Sequence, residues 1–166
     1  MKKVISLFIL IVLITSCSED VQFNNPALQG LKDNVLWRAN DVRAYIRPDN
    51  SLVIVGYSQN EKLILTTTST NSQTYPLGTS DSKIARFKYT INGEELIYKT
   101  GIGMGDGEIK IKQYDPTNMT VTGEFRFNAE NTTDNPAGDE ILNFQDGVFY
   151  KVRVYSIDVM PLGTLD

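Results

Sequence analysis

From Val35 onward, short apolar runs recur between clusters of Gly, Asn, Asp and Pro. Several runs alternate strictly. In Val121–Ala129, Val121, Phe125, Phe127 and Ala129 share one parity with Gly123, and Thr122, Glu124, Arg126 and Asn128 take the other. Ala85, Phe87, Tyr89 and Ile91 alternate with Arg86, Lys88 and Thr90; isoleucines alternate with lysines over Ile109–Lys112; Tyr150, Val152 and Val154 alternate with Lys151 and Arg153. A period of two marks strands with one face in a core and one in water. Leu52–Val55 is unbroken apolar and predicts a strand covered on both faces. The pattern predicts about nine strands, near 35–39, 42–47, 52–57, 62–68, 84–91, 94–99, 107–114, 119–129 and 148–155.

The punctuation agrees. Asn92-Gly93 predicts a type I′ hairpin, because both residues tolerate positive φ. Pro48-Asp49-Asn50-Ser51 and Asp115-Pro116-Thr117-Asn118 have type I turn chemistry, and Ser58–Glu61 links two further strands. No segment has a helical period with caps, and no fixed-period repeat is visible. The expected fold is a single all-β domain, an antiparallel, meander-rich sandwich or barrel. Two long loops, Ser69–Ser82 and Glu130–Glu140, interrupt it; loops of that length are often functional.

The start of the chain reads differently. Lys2 and Lys3 precede the apolar run Val4–Ile14, and Thr15-Ser16-Cys17 follows. The run is too short for a membrane-crossing helix, which needs about 20 apolar residues. A charged start, an apolar middle and small residues at a cut point are the order of a secretory signal. With the cysteine directly after the small residues, the segment resembles the lipobox of bacterial lipoproteins. That resemblance implies removal of residues 1–16, a diacylglycerol on the Cys17 thiol and acylation, as by palmitate, of the new amine. Acidic residues follow in Ser18-Glu19-Asp20, as in the surface-export tethers of Bacteroidota lipoproteins. The expected layout is a signal over 1–16, the lipidated cysteine and a polar tether over 17–33, and the β domain over 34–166. The expected place is the bacterial outer membrane, by lipid anchor, with cell-surface exposure open.

Composition narrows the chemistry. The chain has no histidine, one cysteine and a formal charge of −4. Ser-His-Asp and Cys-His catalysis and Cys/His zinc sites are excluded. An acidic domain repels phosphate backbones, so no nucleic-acid partner is expected. With no disulfide within the chain, stability must come from a core.

Gly101-Ile102-Gly103-Met104-Gly105-Asp106-Gly107 has neither Rossmann nor P-loop spacing. It predicts a tight bend; extended, it would instead present a face without side chains. No cofactor and no metal are expected. Carboxylates are the remaining acid–base groups: Asp106 with Glu108, and Asp134, Asp139, Glu140 and Asp146. Paired acids could hydrolyse glycosides, although loop Asp and Asn ordinarily serve turn hydrogen bonds. Tyr75, beside Pro76 in a loop, is the expected exposed aromatic, and Trp37 is expected in the core.

Trp37-Arg38-Ala39, Val121-Thr122-Gly123-Glu124-Phe125-Arg126-Phe127 and Asp146-Gly147-Val148-Phe149 occur in that order. In this the chain resembles an uncharacterised family of Bacteroidota lipoproteins known only as a domain of unknown function (DUF6252). The resemblance implies localisation and fold and brings no activity. A tryptophan-bearing first strand and a meander also resemble a lipocalin-like barrel, with Val35 standing where that family has glycine. The expected function is therefore a non-enzymatic binding or interaction module with a glycan or envelope-protein partner, with candidate contacts at Tyr75, Asp106, Glu108, Asp134 and Asp139. A carboxylate hydrolase and a barrel carrying a small apolar ligand are the alternatives.

Overall fold

A computed structural model describes residues 27–156 except 92, 134, 136 and 137. Eleven strands follow one another with no helix among the described residues: β1 (Ala27–Lys32), β2 (Val35–Arg38), β3 (Asp41–Ile46), β4 (Leu52–Ser58), β5 (Glu61–Thr67), β6 (Thr74–Pro76), β7 (Ile84–Ile91), β8 (Glu94–Lys99), β9 (Asp106–Asp115), β10 (Thr120–Asn131) and β11 (Ile141–Ser156).

All belong to one sheet that closes on itself. One layer runs β6-β9-β10-β11-β1-β2 and the other is the meander β3-β4-β5-β7-β8. Two strands turn the corners. The last residues of β10, Glu130 and Asn131, leave β9 and pair with Lys99 and Tyr98 of β8. The last residues of β11, Val154–Ser156, pair in parallel with Ala44–Ile46 of β3. The fold is thus a sandwich joined at two corners, and the expected all-β class holds.

Bulges let these strands bend. Along β11 the buried positions are 142 and 144, then 147 and 149, then 152 and 154. Parity resets twice, at Asp146 (φ 49°) and Lys151 (φ 48°), where two residues of β10 face three of β11. The second reset corrects one expectation: Phe149, not Tyr150, shares the inner face with Val152 and Val154.

The turns lie where expected, but Asn50 does not fit the third position of a type I turn over Pro48–Ser51: the turn closes one residue earlier, with the Asn50 amide donating to the Arg47 carbonyl (2.9 Å). Ser51 donates its amide (3.0 Å) and its hydroxyl (2.6 Å) to Asp49 Oδ1, and Asn50 takes φ 65°. The β7–β8 hairpin pairs Ile91 with Glu94 across a two-residue turn, with Gly93 at φ 85°; Asn92 lies outside the described residues. The glycine-rich segment is a bend: Gly101 and Met104 exchange backbone hydrogen bonds (2.9 and 3.2 Å), and Gly103, Gly105 and Gly107 all have positive φ.

Two further strands depart from the nine expected. Ala27–Lys32, read as the end of the tether, is β1; its Leu28 is fully buried, so the folded region begins before residue 34. Thr74–Pro76, read as loop, pairs with β9. The core lies between the layers and is aromatic at its centre. The Phe144 ring meets Trp37 (5.6 Å), Phe87 (5.6 Å), Phe125 (5.8 Å) and Phe127 (5.1 Å). Trp37 is 5% exposed, a core residue as expected, and Trp37 Nε1 donates to Glu61 Oε2 at 2.6 Å. Lys32, also paired with Glu61, lies over the Phe87 ring at 4.9 Å and closes that end.

Candidate functional site

The outer face of β9–β10–β11 gathers the densest array of polar side chains. Register makes it: Asn128 stands opposite Asp106 on one side and Asn143 on the other, and Arg126 stands opposite Glu108. Since Phe125, Phe127 and Ala129 face the core, Glu124, Arg126 and Asn128 must face outward.

The side chains form a chain across three strands. Asn128 Nδ2 donates to Asp106 Oδ1 (2.9 Å), Asn143 Nδ2 to Asn128 Oδ1 (2.7 Å), and Gln145 Nε2 to Asn143 Oδ1 (2.7 Å). Each amide carries two donor hydrogens and an oxygen with two lone pairs. Each linked amide spends one hydrogen on its neighbour, so further hydrogen-bonding capacity points to solvent. Arg126 Nε donates to Glu108 Oε1 at 3.2 Å, and Lys112 pairs with Glu124. Beside these, a groove of about 400 Å³ is lined by Glu108, Lys110, Glu124, Arg126 and Asp146. A second, of about 300 Å³, is lined by Asp106, Arg126, Asn128, Asn143, Gln145 and Asp146. The strained-looking turn at Asp146 is the bulge itself, and Gly147 is needed there: a Cβ would lie 2.5 Å from the Phe125 carbonyl oxygen.

Of the residues singled out from sequence, Asp106, Glu108 and Asp146 fall on this face. Asp139 is exposed in the β10–β11 loop, where its carbonyl accepts from Asn131 Nδ2 at 3.3 Å. Cys17 and Asp134 lie outside the described residues. Tyr75 is a correction: it is 2% exposed and belongs to the core. Its ring faces inward from β6, and its hydroxyl sits 2.8 Å from Ser69 Oγ, 3.0 Å from the Ser69 carbonyl and 2.9 Å from that of Asn71. It ties down the 69–73 loop and offers no stacking surface.

Arg126, Asn128, Asn143 and Gln145 were not singled out. The available signal was asparagine at strand positions, since β strands are depleted in it. Among the described residues no three His, Cys, Asp or Glu side chains converge as a metal site, and no helix is long and apolar enough to cross a membrane. Phenylalanine rings among aliphatic side chains pack the centre of the interior, and the cavities found among the described residues open to the outside.

Fold and face together define a closed β-sandwich with an open, polar, hydrogen-bonding layer. The family model described as "Domain of unknown function (DUF6252)" matches residues 24–153, and the chain belongs to that family. The match includes β1, in agreement with its place in the folded domain. No curated protein and no solved structure matches the chain.

Proposed function

We propose that this protein is a lipid-anchored envelope protein, attached through Cys17, that binds a glycan on the outer face of β9–β10–β11. The amide chain Asp106–Asn128–Asn143–Gln145 carries the reading. Its members stand on three adjacent strands about 4.8 Å apart, Asn143 and Gln145 sharing β11, and they combine unspent donors and acceptors with a rigid backing of core strands. A polyol, whose hydroxyls both donate and accept, matches such a row better than an apolar or a uniformly charged ligand. Arg126, 67% exposed at its side chain, and Asp146 flank the row as further contacts. The packed interior favours an external ligand over one carried inside the barrel.

The test is a glycan screen of the soluble domain, with Asn128→Leu and Asn143→Leu as controls. Binding by the parent and its loss in both variants, at unchanged melting temperature, supports the reading. A parent that binds no glycan, or variants that bind as well as the parent, sinks it. Anchoring is tested separately by metabolic labelling with palmitate, expected in the parent and absent in Cys17→Ser.

A further inference from the structure

The outer face of β9–β10–β11 continues across β1 and β2, and there it changes character. Gln145 closes the amide row on β11, and its cross-strand partner on β1 is Leu31. Leu31 in turn stands opposite Leu36 of β2. Directly opposed residues share a face, and Trp37, next along β2, points into the core. Leu31 and Leu36 therefore lie on the same outer side as Asn128, Asn143 and Gln145. The face runs across five strands from a carboxylate through amides to two leucines.

The leucines break the usual pattern. The outward side of a half-buried sheet is normally polar, yet Leu36 is 69% exposed and Leu31 is half-buried. Their outward neighbours on the same strands are Gln29 and Arg38, which pair with each other. The apolar spot is thus small and bordered by polar groups. Val35, also exposed, has the parity of Trp37 and belongs to the other side. The spot is also fastened to the row. The Asn143 amide donates to Asp33 Oδ1 (2.9 Å), and the Asp33 amide to the Asn143 carbonyl (2.9 Å), so the β1–β2 turn is tied to β11.

We infer that the glycan held by the amide row carries an apolar substituent, an acyl or alkyl chain, that lies across Leu31 and Leu36. The inference rests on the glycan reading of the row and adds the class of glycan. Leu31 is one strand from Gln145 and Leu36 two, about 5 and 10 Å. A short chain on a sugar seated over the amides reaches both. Burying that chain against the leucines adds affinity that a plain sugar lacks, and the fixed spacing spares the cost of ordering the site. A second copy or another protein finds too little here. Two leucines, one already half-buried, offer far less than the ~800 Å² per partner of a stable interface.

The probes are octyl β-glucoside, below its micelle-forming concentration, and methyl β-glucoside. Each is titrated into the unacylated chain and followed by the Leu31 and Leu36 methyl and the Asn128, Asn143 and Gln145 side-chain amide resonances. The octyl glycoside is expected to bind at least tenfold tighter and to shift both sets. Leu36→Ser, a change at an exposed position, should remove that advantage and leave methyl glucoside binding as it was. Methyl glucoside binding at the amides with no gain from the octyl chain overturns this inference and leaves the glycan reading standing. So does an advantage that survives Leu36→Ser. An octyl glycoside that shifts the leucines but not the amides also overturns it, as does a Leu36-dependent dimer in sedimentation. If the octyl glycoside does not bind at all, the inference fails, and the glycan reading is decided by its own screen.

Discussion

At the scale of single residues, Phe144 is the hub of the interior, with four aromatic rings around it. Its replacement by Ala should cost about 3–5 kcal/mol, read as a lowered urea midpoint. Tyr75→Phe keeps the ring and removes the hydroxyl that meets Ser69 and Asn71. It should cost about 1–3 kcal/mol through carbonyls left unpaired and speed amide exchange in the 69–73 loop. Titration behaves with opposite sign at the two ends of the pH scale. Burial, and then the hydrogen bond with Tyr89, push the Tyr98 phenol well above its ordinary 10.0. Its neutral form stabilises the fold at lower pH, and that contribution is lost as pH rises above 10.0. Tyrosinate absorbance should therefore show a late-ionising phenol that Tyr98→Phe removes. The carboxyl of Asp115 is held below 3.8 by the Asn118 amide and side chain, and that of Asp49 by the Ser51 hydroxyl and amide. Between the folded values and 3.8 the unfolded chain binds more protons, so these bonds help above 3.8 and fade as pH falls below it. Asp115→Asn should flatten the acid limb of a stability–pH curve.

At the scale of elements, β11 shows what alternation can and cannot reveal. Strands with unbroken parity, such as Ile84–Ile91 and the inner half of β10, are plain in the sequence, because one side of each must be apolar. The first half of β11 is not, because Asp146-Gly147 has the composition of a turn and sits inside the strand as a bulge. A reader of parity starts the strand at 148, and the Lys151 bulge then inverts Tyr150. The same limit hid β1: Gly30 and Lys32 face inward, where Gly30 lies against Phe144 and Lys32 against Phe87, so the segment lacks the expected apolar row. Tyr75 looked exposed because Ser, Thr and Pro surround it; the loop in fact folds over its hydroxyl. Asp106 and Glu108 were legible as acids, but their neighbours Asn128 and Asn143 come from the next two strands, and only the register of β9, β10 and β11 brings them together. Bulges also fix where side chains are forbidden. At Gly123 a Cβ would lie 2.1 Å from the Lys110 carbonyl oxygen and 2.3 Å from the Phe149 ring. Gly123→Ala must push β9 or Phe149 aside, at about 1–3 kcal/mol, and thermal melting checks it.

At the scale of the whole molecule, the two layers do different work. The meander layer is apolar on both sides through its first three strands, and the β9–β10–β11 layer is apolar inside and hydrogen-bonding outside. β1 belongs to the latter layer, so the chain from Cys17 enters beside the face that binds in our proposal. Nine residues separate Cys17 from Ala27, and the ten links between them span at most about 35 Å, comparable to the thickness of one sandwich. In our proposal, an anchor on so short a leash would hold the domain close to the bilayer and raise the encounter rate with envelope polymers without adding any contact. Anchoring and recognition are then separable. Cys17→Ser should move the protein from the membrane to the soluble fraction, because each lost acyl methylene removes about 0.8 kcal/mol of membrane affinity. The same variant should keep the glycan affinity of the free domain, since the row on β9–β10–β11 is built wholly from residues beyond 100. Asn128→Leu should do the reverse, staying membrane-bound while losing the glycan. Fractionation and binding measured on both variants decide it: if losing the anchor also abolishes affinity for soluble glycan, the face alone is not the binding site.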